Sequence, residues 1–175
     1  MNTRRYKHGL SLVEMMIVVG VIALLATMVI GVASRIDTQA KEKGVESTFA
    51  LLEGALEEYK EFDGEFPDEL PDGNFNSVAE RAAAYSEYLY GELYSIPSSR
   101  KILEKVSDSL IKNEYSPAGV LLNDTYPEIY DPWQVNSKEF RRAIDYIYVA
   151  GDNFPRLISA GPDKIFGTAD DISSR

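Results

Sequence analysis

The chain has 175 residues, with 18 Lys and Arg against 28 Asp and Glu, a formal net charge of −10 at neutral pH, and no cysteine. That charge opposes the phosphate backbone, so no nucleic-acid partner is expected, and without cysteine there is no disulfide, thiol nucleophile or zinc–thiolate site. The length allows one membrane segment and one modest domain with a core of its own.

The first element is the stretch KHGLSLVEMMIVVGVIALLATMVIGVA, Lys7 to Ala33. Its nineteen residues from Met15 to Ala33 carry no ionisable side chain; as a helix they span roughly 28 Å, about the hydrocarbon thickness of a bilayer. Arg4, Arg5 and Lys7 precede the run and no equally basic cluster follows it closely, which places the N-terminus in the cytoplasm. The run continues through Arg35 into an amphipathic pattern where a secretory signal would show a small-residue cleavage site, leaving a plain signal anchor open. A signal anchor does not explain Glu14, since a carboxylate near the start of a membrane helix costs about 2.5 kcal/mol or more without a partner.

The basic leader ending in Gly9, followed by Leu10, Ser11, Leu12, Val13 and Glu14, resembles the type IV prepilin superfamily, which comprises type IV pilins and the pseudopilins of type II secretion. The resemblance implies that a membrane-embedded prepilin peptidase cuts between Gly9 and Leu10 and methylates the new N-terminus, with the apolar helix retained. Leu10 stands where the family most often has Phe. Glu14 would meet the Leu10 ammonium of a neighbouring subunit when helices pack into a filament. At about 4 Å and an effective dielectric near 20 that attraction is roughly 4 kcal/mol before desolvation, enough to select the stagger between subunits. Cleavage would remove Arg4, Arg5 and Lys7, leaving 15 basic against 28 acidic residues, or −13. It would also remove His8, the one histidine, and with it Ser-His-Asp and Cys-His catalysis.

Leu10 to about Glu61 reads as one long helix. After Arg35, Val45, Phe49, Leu52, Leu56 and Tyr59 recur at spacings of 4, 3, 4 and 3, an amphipathic stripe suited to core packing. Residues 1–9 are thus the leader, 10–33 the transmembrane and polymerisation helix, and 34–62 its amphipathic continuation. Gly20, Gly31, Gly44 and Gly54 each lower helix propensity by roughly 1 kcal/mol relative to Ala, with Gly31 and Gly44 as candidate bends. Asp63-Gly64 predicts a turn and Glu65-Phe66-Pro67 an extended exit. Leu51 to Leu70 resembles the helix exit of major pseudopilins.

Residues 63–130 form a connecting region with a helical insert. Asn76 to Tyr94 predicts a helix with Val78, Ala82, Tyr85, Leu89 and Leu93 on one face, and Ser98 is the candidate N-cap of a second helix to about Lys112. Tyr85, Tyr88, Tyr90 and Tyr94 read as core packing and surface cover, with a ligand-binding surface as the alternative. Nothing from Pro71 to Asn123 matches the short connection of the family. Asn123 to Val135 is loop-like around Pro127 and Pro132. Its Asp131-Pro132-Trp133 resembles the tripeptide opening the C-terminal sheet region of major pseudopilins, although Gln134-Val135-Asn136 follows in place of Gly and an aromatic. Trp133 is the expected core anchor.

In the final part, 131–175, Ala143 to Val149 and Arg156 to Ala160 predict an antiparallel hairpin around Gly151 to Pro155. Ser159 to Ile172 then gathers Asp163, Asp170 and Asp171 around Gly161, Gly167 and Thr168. Glycine-bent acidic loops supply the oxygens that calcium takes. The spacing is not that of an EF-hand, and a solvated acidic turn is the other reading of the residues alone. Leu157-Ile158-Ser159-x-Gly161-x-Asp163 with the Ala-Asp-Asp-Ile ending resembles the calcium loop of the major pseudopilin. That implies calcium as a structural cofactor, with Asp163, Asp170 and Asp171 as side-chain ligands, in place of the disulfide that closes many type IV pilins.

The expected fold is α+β: a long N-terminal helix packed against a small antiparallel C-terminal sheet, with an inserted helical region. The resemblance implies a structural subunit, not an enzyme, anchored in the inner membrane with a periplasmic C-terminal domain and assembled into a type II secretion pseudopilus. Its partners would be further copies of itself, other pseudopilins, secretion-platform proteins, prepilin peptidase and the inner membrane. A type IV pilin or minor pilin for adhesion, motility or DNA uptake is one alternative; a membrane-anchored carbohydrate-active enzyme with paired carboxylates is another.

Overall fold

Helix α1, Leu12–Asp63, runs unbroken through Gly20, Gly31, Gly44 and Gly54, since isolated glycines lower propensity without removing a hydrogen bond. The computed structural model describes residues 11–68, 75, 77–113, 126–133, 143–149 and 151–175, and for 29–34 the backbone alone. The chain divides into two units, Met1–Gln39 and Ala40–Arg175. In the first, every described side chain from Ser11 to Met28 is exposed, including Leu12, Met16, Ile17 and Ile22.

In the second unit, the rear part of α1 buries Val45, Phe49, Leu52, Leu56 and Tyr59, the stripe expected from their spacing. The helix closes at Gly64, whose φ of 96° supplies the left-handed residue common after helix ends and whose N–H reaches Lys60 O at 2.9 Å. Phe66 then turns inward, its ring edge-on to Phe154 at 4.7 Å and Tyr148 at 5.6 Å, with the Lys60 ammonium 4.4 Å away over its face.

Helix α2, Val78–Ser95, begins where Ser77 Oγ accepts from Glu80 N at 3.1 Å, and it buries Ala82, Ala83, Ala84, Tyr85, Leu89 and Leu93. This is the helix expected over 76–94, except that Val78, expected on its apolar face, is exposed in the first turn. Helix α3 is shorter than expected: it covers Pro97–Leu103 rather than Ser98 to Lys112. Proline at the first helical position has no N–H to lose and a preset φ, so the start precedes Ser98. The end comes early because Lys105 N and Val106 N bond three residues back, to Ile102 O and Leu103 O. The following Ser107 and Ser109 hydroxyls, 2.8 Å apart, bond locally instead of supporting a helix. A 3₁₀ turn over Asp108–Leu110 leads into strand β1, Ile111–Lys112.

Strand β1 pairs antiparallel with β2, Glu128–Ile129, inside the segment read as a loop. Strands β3, Asp145–Ile147, and β4, Arg156–Ser159, form the expected antiparallel hairpin, with Tyr146 opposite Leu157. Strand β5, Ile172–Ser173, adds to the other edge of β4. The bonds Tyr130 to Ala143 and Ile144 N to Ile129 O (3.0 Å) bring the two sheets together. The architecture is α+β, as expected.

Helix α2 is fastened to these strands by polar groups. Buried Ser86 accepts from Ile129 N at 2.7 Å and lies 3.2 Å from Ile129 O, and Arg81 pairs with Asp145 at 2.6 Å. Replacing Ser86 by Ala strands the Ile129 N–H in the core. Unfolding of the full chain in detergent should show a loss of about 1–3 kcal/mol, and an unchanged midpoint would remove this fastening.

Candidate functional site

At the start of α1, Ser11 O accepts the first helical bond, from Met15 N at 3.2 Å, and Ser11 N–H donates to Glu14 Oε2 at 2.8 Å. Ser11 is therefore the N-cap and Glu14 the third helical residue, reaching back to the cap's amide as one half of a capping box. The signal Ser-x-x-Glu stands in the sequence but passes unread beside the apolar run. The expected processing residues, Gly9 and Leu10, lie outside the described residues.

A family model described as the prokaryotic N-terminal methylation motif matches residues 4–30. The chain carries a type IV prepilin N-terminus. The match holds Gly9, Leu10 and Glu14 and ends before the second unit begins. Type IV prepilin-like proteins are structural subunits that prepilin peptidase processes and that assemble into filaments. No curated protein and no solved structure matches the chain. Among the described residues no helix is long and apolar enough to cross a membrane. The span expected over 10–33 extends past Met28, beyond which the side chains of 29–34 are outside the description.

The second candidate region is the C-terminal loop from Ser159 to Ile172. Gly161, at φ 60°, leaves no room for a Cβ, which would collide with the Asp170 carbonyl oxygen. Asp170 Oδ2 accepts from Asp163 N at 2.9 Å and its Oδ1 from the Thr168 hydroxyl at 2.6 Å. Asp163 Oδ1 accepts from Ile165 N, and Asp171 Oδ2 from Gly167 N, both at 2.7 Å. The three carboxylates expected to be ligands therefore lie in one loop and each grips its main chain. Thr168 is the member whose role the sequence did not reveal. Asp171 Oδ1 is buried and has no hydrogen-bond partner among the described residues, leaving one oxygen that suits a cation. No three carboxylate, imidazole or thiol side chains among the described residues are placed to hold a metal ion together.

Asp131 and the tyrosines Tyr59, Tyr90 and Tyr94 make contacts within the fold. Asp131, buried, accepts from Trp133 N at 2.9 Å through Oδ1 and from Ala160 N at 3.0 Å through Oδ2, which fixes the expected anchor Trp133 beside the end of β4. Tyr90 and Tyr94 stack at 5.8 Å, and the Arg100 guanidinium lies 4.2 Å from the Tyr94 ring. Tyr59 donates to Glu92 at 2.8 Å. Burial, then the Glu92 carboxylate, pushes its phenol above the usual range, so Tyr59 stays a neutral donor.

The Thr168 hydroxyl, then the Asp163 amide, holds the Asp170 carboxyl below its usual value of 3.8. A depressed folded value means that Asp170 stabilises the loop above its unfolded value and loses that contribution as pH falls through the folded one. Wild-type thermal stability should therefore fall more steeply than that of Asp170→Asn as pH drops below about 4. Parallel melting curves from pH 5 to pH 2 would remove Asp170 as the clasp.

Proposed function

We propose that this type IV pilin-like chain is a pseudopilus subunit of a type II secretion system, polymerising through its N-terminal helix to support protein export. The chain would be held in the inner membrane by one span over 10–33, with its N-terminus cytoplasmic and the second unit periplasmic. Cleavage after Gly9 and methylation of Leu10 prepare the helix. In the filament Glu14 takes the Leu10 ammonium of a neighbouring subunit, with other pseudopilins and the secretion platform as further partners.

The observation that carries the pseudopilin reading is the carboxylate-clasped C-terminal loop in a chain without cysteine. In this reading Asp163, Asp170 and Asp171, which here grip the loop's own N–H groups, would turn from them to hold calcium, with main-chain carbonyls completing the oxygen set that the cation requires. When bound, calcium supplies positive charge between carboxylates that otherwise repel one another. Helices α2 and α3 enlarge the short connection implied by the resemblance, and on that ground a minor type IV pilin is the second reading. Loss of protein export on deletion supports the first. Normal export together with loss of surface fibres supports the second.

Intact mass of the protein from membranes with and without prepilin peptidase tests the assembly class. The expected species with peptidase begins at Leu10 and carries one added methyl group; an uncleaved chain in both strains would make this a signal-anchored protein.

Calcium at one hundred times its dissociation constant should stabilise the folded chain by about 2.7 kcal/mol. A chelator should remove that gain from the wild type and leave Asp170→Ala/Asp171→Ala unchanged. Identical melting of the wild type with and without chelator would exclude the calcium site.

A further inference from the structure

We infer that the main-chain N–H of Ser11 is a positioning group for Glu14, holding one carboxylate oxygen so that only the other is offered to a neighbouring subunit. The inference rests on the pseudopilus reading for its second half; its first half stands on the subunit alone.

Ser11 N lies 2.8 Å from Glu14 Oε2, within the range of a charge-assisted hydrogen bond. The contact closes back over the first helical turn, where Ser11 O already receives Met15 N. Two unfavourable groups are thereby met at once. The first amides of a helix have no intrahelical acceptor, and in an apolar medium both an unpaired N–H and an unpaired carboxylate are costly. The side chains around the pair are Leu12, Val13, Met15 and Met16, all apolar and exposed, so this chain offers no other polar side chain between Ser11 and Thr27.

With Oε2 engaged, the carboxylate plane is fixed relative to the helix axis, and Oε1 accepts no hydrogen bond from the described residues. A neighbour's ammonium then meets a directed acceptor instead of a rotating one, which reduces the side-chain entropy lost when the ion pair forms. The arrangement also explains the residue type. Reaching from the third helical position back to the cap amide takes the full length of glutamate, and aspartate is one methylene shorter.

The test separates reach from charge. In the full-length mature subunit, isotopically labelled and held in detergent micelles, Ser11 amide hydrogen exchange should be at least about tenfold slower in the wild type than in Glu14→Ala. Glu14→Gln should keep that slowing, because its amide oxygen accepts the same bond. In cells, Glu14→Asp keeps the charge but loses the reach. It should be cleaved and methylated like the wild type, yet give at least about tenfold less filament.

Equal Ser11 exchange in the wild type and Glu14→Ala overturns the cap. Wild-type filament yield from Glu14→Asp overturns the positioning. A wild-type subunit that is processed but forms no filament under any secretion condition removes the pseudopilus reading, and the exchange measurement still decides whether Ser11 holds Glu14.

Discussion

Val45, Phe49, Leu52, Leu56 and Tyr59 give the rear of α1 an apolar face that cannot remain in water, and the second unit is arranged to cover it. At about 25 cal/mol per Å² of apolar surface removed from solvent, a stripe of this size sets where the other elements go. Leu89 and Leu93 from α2, Leu103 at the end of α3, and Ile129, Tyr146 and Leu157 from the strands all join the same core. The strands themselves are only two to four residues long. Strands this short do not hold together as a free sheet, so their order depends on the surface they share with the helices.

A second device fixes the loops between these elements: carboxylates that accept main-chain N–H groups. Asp131 ties the turn at Trp133 to the residue after β4, while Asp163, Asp170 and Asp171 fold the last loop upon itself. Each such bond satisfies a peptide group that a tight turn would leave exposed or orphaned. At the other end of the described chain Glu14 makes the same kind of bond. An acidic composition that looks like mere surface charge is, at these positions, a set of local fasteners.

The parts of the fold legible in the sequence were those with long or repeated signals. The 4-3-4-3 stripe of α1, the apolar face of α2 from Ala82 to Leu93, and the hairpin of β3 and β4 all had several residues agreeing on one geometry. β1, β2 and β5 are too short for alternation to register. Ile111–Lys112 was also masked by an apparent helix that Ser107 and Ser109 interrupt. At the candidate sites, Glu14 stood out because a charge in an apolar run demands a reason. Its partner Ser11 did not, since the donor is a peptide N–H that every residue but proline possesses. The same holds in the last loop. The aspartates were visible as residue types, but which amides they would grip depends on the backbone path through Gly161, Lys164 and Gly167, all at positive φ.

That last loop brings β5 against β4, with Ser174 N reaching Leu157 O at 2.9 Å and the Arg175 side chain meeting Glu53 at 3.2 Å. No covalent link takes part in this closure. Formation of the fastening therefore needs no thiol oxidant and no disulfide exchange, a step that takes seconds to hours where it occurs. The fold of the second unit is indifferent to the redox poise of the compartment in which it first meets water.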